Sequence, residues 1–157
     1  SVRAHALAGI GRLCRLEGFN SILERYELLG DHVYLRRARH TALARCARSL
    51  ERRHRETALD TLRFAAYSAV GHEALAITAA CVTLGEGQGV NIISSMLDNV
   101  DHQTASGMRK QRMLLEKSLE TQSPAGRVER LEKTVEKLET QLAEHLLLAR
   151  NEGTVKT

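Results

Sequence analysis

Apolar residues recur at three- and four-residue steps through most of this chain, the spacing of helices with one buried stripe. A clear series runs Leu35, Ala38, Ala42, Cys46 and Leu50, fails from Glu51 to Thr57, and resumes with Ala58, Leu62, Ala65 and Ala69. Neither glycine nor proline interrupts residues 31–70, so the spacing favours one continuous helix there, capped by Asp31, over a helix broken within Glu51–Thr57 into two short arms. Ahead of it, NSILERYELLG reads as a short helix with Asn20 or Ser21 as N-cap and Gly30 as its stop.

After Gly71, HEALAITAACVTL is almost uncharged and reads as a buried helix. GEGQG, from Gly85 to Gly89, is a turn, and residues 91–122 read as one long helix. Its seam begins with Ile93, Leu97 and Val100, is interrupted by Thr104, Gly107 and Gln111, and resumes at Leu114, a pattern suited to an antiparallel bundle. SPAG, residues 123–126, is the one proline-containing junction; Pro124 cannot continue a helix but can open one.

The last helix carries the most specific pattern. Val128, Val135 and Leu142 fall at a, and Leu131, Leu138 and His145 at d, with Glu132 and Glu139 at e. β-Branched residues at a with Leu at d favour two parallel strands. These six a and d residues are the predicted seam of a homodimer. The expected fold is all-α, an elongated helical bundle over residues 1–122 with an Arg-rich helix. A linker at 123–126, a coiled coil at 127–150 and a flexible tail at 151–157 would follow.

Composition supports helices and limits the core. Two Phe, three Tyr, no Trp and one Pro among 157 residues leave Leu, Ala, Val and Ile to fill the interior. A compact domain of that length buries roughly 70% of its unfolded surface, enough for a core. Cys14, Cys46 and Cys81 are dispersed without a CxxC pairing, which suits reduced intracellular thiols rather than a disulfide framework or zinc site. No apolar run is long enough to predict a membrane span. The stretch up to Phe19 has three Arg and no acid before Glu17, the broad look of a mitochondrial presequence, but Gly9 and Gly11 weaken it as a helix. The expected location is cytoplasmic.

Charge adds a candidate surface. The formal net charge is +4, and eight Arg between Arg36 and Arg55 face a single acid, Glu51. Within that tract RRARHTAL (Arg36–Leu43) and RRHRETAL (Arg52–Leu59) match at six of eight positions. On one helix, an offset of sixteen residues turns the second octet about 160° from the first and moves it about 24 Å along, so the two do not form one track for a phosphate backbone. Arg36, Arg37, Arg39, Arg52, Arg53 and Arg55 are therefore expected to be exposed and to hold an acidic protein surface, because guanidinium groups pair with carboxylates in a bidentate fork. The competing expectations are a solvated face and contact with nucleic-acid phosphates without sequence readout.

No catalytic residue, metal ligand or cofactor site is predicted. GHEAL has Ala76 where a zinc HExxH motif needs its second His, and the seven His lack two-ligand spacing. GEGQG lacks the Lys-Ser/Thr ending of a phosphate-binding loop, and SAVGHEA is not a GxSxG elbow. Zinc-finger, aromatic-platform and basic-zipper signatures are also missing. The sequence therefore points to a non-catalytic assembly or scaffold protein, cytoskeletal or part of a larger complex. It would dimerise through its C-terminal helix and bind an acidic partner through the Arg-rich one.

Overall fold

The computed structural model describes residues 2–13, 15–26 and 32–155. Its elements are α1 (Val2–Leu13), α2 (Leu16–Glu24), α3 (Val33–Arg48), α4 (Arg52–Ala66), α5 (Gly71–Leu84), α6 (Gln88–Met96), a 3-10 turn (Leu97–Asn99), α7 (His102–Gln122) and α8 (Pro124–Val155). The described residues contain no strand, and the fold is all-α as the spacing predicts. Two compact units divide the chain, Ser1–Leu119 and Glu120–Thr157.

The first unit is built around α3, which packs against α1, α2, α4 and α5. It can take neighbours on several sides because small residues make up much of its surface. Ala42, Ala44, Cys46 and Ala47 are buried beside Leu43. Gly11 of α1 comes so close that a Cβ there would lie 3.1 Å from the Ala42 Cα, so a larger residue would push the two helices apart by a few tenths of an ångström. Helix α5 lies on the opposite flank and buries Ala74, Ile77, Thr78, Ala80 and Cys81. It stops at Gly85, whose φ of 69° is the left-handed conformation that glycine adopts without steric cost. Phe19 and Ile22 of α2, Leu59 and Leu62 of α4, and Ile92, Ile93 and Met96 of α6 complete the core.

Several boundaries differ from the sequence expectation. The predicted continuous helix over 31–70 breaks at Ser49–Glu51 into α3 and α4 without glycine or proline. The Ser49 and Leu50 N–H groups donate to the Cys46 and Ala47 carbonyls in 3-10 fashion, and Glu51 is extended. Arg55 Nη1 donates to the Leu50 carbonyl at 2.8 Å, satisfying an acceptor that a helix end would otherwise leave open. The break falls at the start of the stretch where the apolar stripe fails, and it turns Ala58, Leu59 and Leu62 into the core.

The predicted helix over 91–122 is likewise two helices and a 3-10 turn. Asp101 caps α7, accepting the Thr104 N–H at 2.9 Å and the Thr104 hydroxyl at 2.7 Å. These bonds hold the exposed Asp101 carboxyl below its usual range, the Thr104 N–H contributing most. Restarting the helix resets its phase, so Ala105, Met108 and Leu115 point inward while Leu114 is 58% exposed. Leu115 reaches Gly89 of α6, and Arg112 Nη1 donates to Ser94 Oγ at 3.0 Å.

Helix α2 starts at Leu16 after an extended Arg15, not at Asn20 or Ser21. The expected stop at Gly30, the Asp31 cap and Cys14 lie outside the described residues. His32 caps α3, its Nδ1 accepting the Tyr34 N–H at 3.4 Å.

In the second unit the expected linker at 123–126 is a helix start. Pro124 is the first residue of α8, and Ser123 Oγ accepts the Gly126 N–H at 3.1 Å. The helix runs to Val155, so residues 151–155 are helical where a flexible tail is expected. Every residue from Arg127 to Gly153 is exposed. None of the described helices is long and apolar enough to cross a membrane.

Candidate functional site

The two octets fall on α3 and at the start of α4, and they are used in nearly the same way. Thr41 Oγ1 donates to the Arg37 carbonyl and Thr57 Oγ1 to the Arg53 carbonyl, the same back-bond one turn down. Ala42 and Leu43 are buried, and so are Ala58 and Leu59. The shared Ala-Leu is thus the inward edge of two equivalent helical turns, and five of the six octet arginines lie outside it, Arg39 being the exception.

Those arginines do not meet on one surface. Arg36 Nε lies 3.2 and 3.1 Å from the two Glu73 oxygens. Arg52 pairs with Glu56, Arg53 with Glu51, and Arg55 with Glu86 at 2.9 Å. Arg37 is half-buried, its guanidinium 5.8 Å from the centre of the Tyr34 ring. Arg39 contradicts the expectation of an exposed contact, being 6% exposed. It falls on the inward side of α3 because packing on several flanks leaves only a narrow exposed face. Burial lowers its pKa, and the nearby Tyr26 works in the opposite direction.

A polar cluster that local spacing does not reveal sits beside it. Tyr26 Oη is 2.8 Å from His40 Nδ1, and His40 Nε2 is 3.2 Å from Glu73 Oε1. The Glu73 carboxylate accepts from the His40 Nε2–H, which leaves Nδ1 to accept the Tyr26 hydroxyl. His40 is buried and Glu73 nearly so, with side-chain exposures of 3% and 12%. The hydrogen bond from His40 holds the Glu73 carboxyl below its usual range, Arg36 adding to it against the opposing effect of burial. The partners stand fourteen and thirty-three residues apart, so no motif announces them.

A carboxylate–imidazole–hydroxyl chain has the connectivity of a proton relay. A reactive tyrosine, however, needs a depressed pKa, and burial pushes that of Tyr26 up. The arrangement suits a satisfied buried network tying the turn after α2 to α3 and α5. Burial likewise pushes the Cys81 thiol up to about 12, far from a reactive thiolate. Among the described residues, no cluster of three or more metal-ligating side chains occurs.

Two further features face solvent. A groove of about 530 Å³ runs over α3 between α1 and α5, floored by small residues such as Ala8, Ala42 and Ala76 and edged by Tyr34, Arg37 and Arg45. The other is α8. Val128, Leu131, Val135, Leu138 and Leu142 are 52–65% exposed on one stripe, and the expected seam residue His145 is exposed with them. Leu146, Leu147 and Leu148 add 59–63% exposed leucines near its end. No family model, curated protein or solved structure matches the chain.

Proposed function

We propose that this protein is a non-catalytic helical assembly protein that self-associates through α8. The observation that carries the reading is the stripe from Val128 to Leu142, which lies open to water on a helix whose every residue from Arg127 to Gly153 is exposed. Leaving large branched side chains in water forgoes roughly 1 kcal/mol or more for each, which a partner helix would recover. The heptad spacing matches the period at which two helices keep such a stripe in contact. The buried Tyr26–His40–Glu73 chain fits a structural role better than a catalytic one, which supports the non-catalytic part.

A double variant tests the proposal. Leu131→Glu with Leu138→Glu should turn a dimer into a monomer while leaving the thermal unfolding of the first unit unchanged. A wild-type and variant pair with the same mass in solution contradicts it.

The groove edged by Arg37 and Arg45 favours a second role, docking of an acidic protein segment. Its apolar floor between two cations suits a helix with carboxylates beside small apolar residues. This moves the partner site from the six arginines of the octets to one face of α3. Contact with nucleic-acid phosphates would need the octet arginines together, and four of them are already paired with carboxylates. Arg37→Glu with Arg45→Glu should abolish capture of an acidic amphipathic peptide that the wild type retains at low salt; equal retention by both rules the groove out.

A further inference from the structure

We infer that α8 pairs with a second copy of this chain in parallel and in register, the basic flank of each helix lying against the acidic flank of the other. The inference rests on the self-association proposed above and adds its orientation. At about 100° per residue the charged side chains of α8 sort to the two sides of its apolar stripe. Glu132 and Glu139 border one side at e, with Glu129 and Glu136 behind them at b. Arg127 borders the other side at g, with Arg130 and Lys137 behind it at c. Lys133 at f, Glu144 at c and Arg150 at b depart from the sorting, but all three lie away from the seam, and Lys133 Nζ is bound to Glu129 Oε1 at 2.8 Å within the helix.

Orientation decides what these flanks meet. In a parallel pair each g residue faces the e residue of the next heptad on the other helix, which brings Arg127 to the partner's Glu132 on both sides of the seam. A shallow hollow bounded by Arg127, Arg130, Leu131 and Thr134 lies where that carboxylate arrives. In an antiparallel pair e faces e and g faces g. Glu132 and Glu139 would then meet only one another or Leu146, and Arg127 would meet only Thr134, Gln141 or Leu148. Every antiparallel register therefore leaves Arg127 without an acid at the seam and places carboxylates against carboxylates or leucine. Like charges across such a seam are a selection against the wrong pairing as well as a loss of the right one.

The in-register pair also sets Val128 against Val128 and Leu131 against Leu131, the β-branched a and Leu d combination that two parallel strands accommodate. The two Pro124 ends of α8 then lie side by side.

The test uses the full chain carrying Cys14→Ser and Ala125→Cys. Cys46 and Cys81 are buried, and the Cys14→Ser parent alone serves as the labelling control. A spin label at residue 125 should report a separation between copies of about 20 Å or less in the parallel pair. In the antiparallel pair with matched seams, about 23 residues of rise would separate the labels by about 35 Å. Mass measured on the same samples keeps the two ideas apart. A dimer with close labels supports the inference. A dimer with labels about 35 Å apart overturns the orientation and leaves self-association standing, and a monomer overturns both. Should the introduced cysteine unfold the chain, Arg127→Glu gives the same decision. It should raise the dimer dissociation constant about tenfold, with Arg127→Glu plus Glu132→Arg restoring it. No change on Arg127→Glu overturns the parallel pairing.

Discussion

Helices α3 and α8 invert what their sequences suggest. Residues 33–48 include five arginines, yet α3 is the centre of the first unit, with seven of its residues buried. Residues 124–155 carry a regular stripe of Val and Leu, yet nothing between Arg127 and Gly153 is buried. The difference lies in side-chain size and in how many flanks can be covered. Alanines and a cysteine let other helices approach α3 closely, and its arginines extend past them to Glu73 or into water. The stripe of α8 is narrow and built of large side chains, the surface that the proposed partner helix would cover. Local hydrophobicity thus says little about burial, while residue size and the width of the apolar face say more.

The sharpest way to break that contrast is to shorten matching leucines. Leu43→Ala on α3 should cost about 2–5 kcal/mol in urea unfolding, because a fully buried side chain leaves a cavity. Leu138→Ala on α8 should leave the unfolding of the first unit unchanged and weaken only association. Equal costs at both sites would mean that α8 is buried where it is described as exposed. The arginines sharpen the comparison further. Arg39→Glu should cost about 2–4 kcal/mol, since it places a carboxylate in a buried site beside Tyr26, whereas Arg53→Glu should stay within about half a kcal/mol. Similar denaturation midpoints for the two would return Arg39 to the surface.

Glu73→Gln is expected to cost about 1–3 kcal/mol, because the amide keeps only one acceptor oxygen and sets an NH2 donor against the donors of His40 and Arg36. Because the folded-state pKa of Glu73 is depressed, its contribution is fully present above the ordinary carboxyl value of 4.5 and is lost as pH falls through the lower folded value. Wild type should therefore lose stability faster than Glu73→Gln on acidification below about pH 4.5, and parallel acid limbs in urea titrations would contradict the network. The smallest effect belongs to His145, which occupies a d position where Leu is ordinary. His145→Leu should tighten association by about fivefold at neutral pH. An unchanged sedimentation constant places His145 outside the seam.

The helical class was legible from spacing alone; the start of α8 was not, because residues 123–126 read as a linker although Pro124 can open a helix near its first position. The breaks at Ser49–Glu51 and Val100–Asp101 were not, because both are closed by side chains rather than by glycine or proline. Arg55 bonds back to Leu50 and Thr104 to Asp101. The failed stripe from Glu51 to Thr57 was the visible trace of the first, and the Asp three residues before a Thr was that of the second. Arg39 was misplaced because a helix packed on several flanks has little outward face for a stripe to mark. Tyr26, His40 and Glu73 come together only in the folded chain, so no local pattern holds them. The α8 stripe itself was readable in full, since a heptad needs only its own helix.

The central claim is that α8 is one half of an interface whose other half is a second copy. Sedimentation equilibrium of the full chain, from one to tens of micromolar, measures it most directly. The account predicts a mass that rises to twice the 17.4 kDa of one chain, and falls back to one chain with Leu131→Glu and Leu138→Glu. A single-chain mass across the whole range contradicts it.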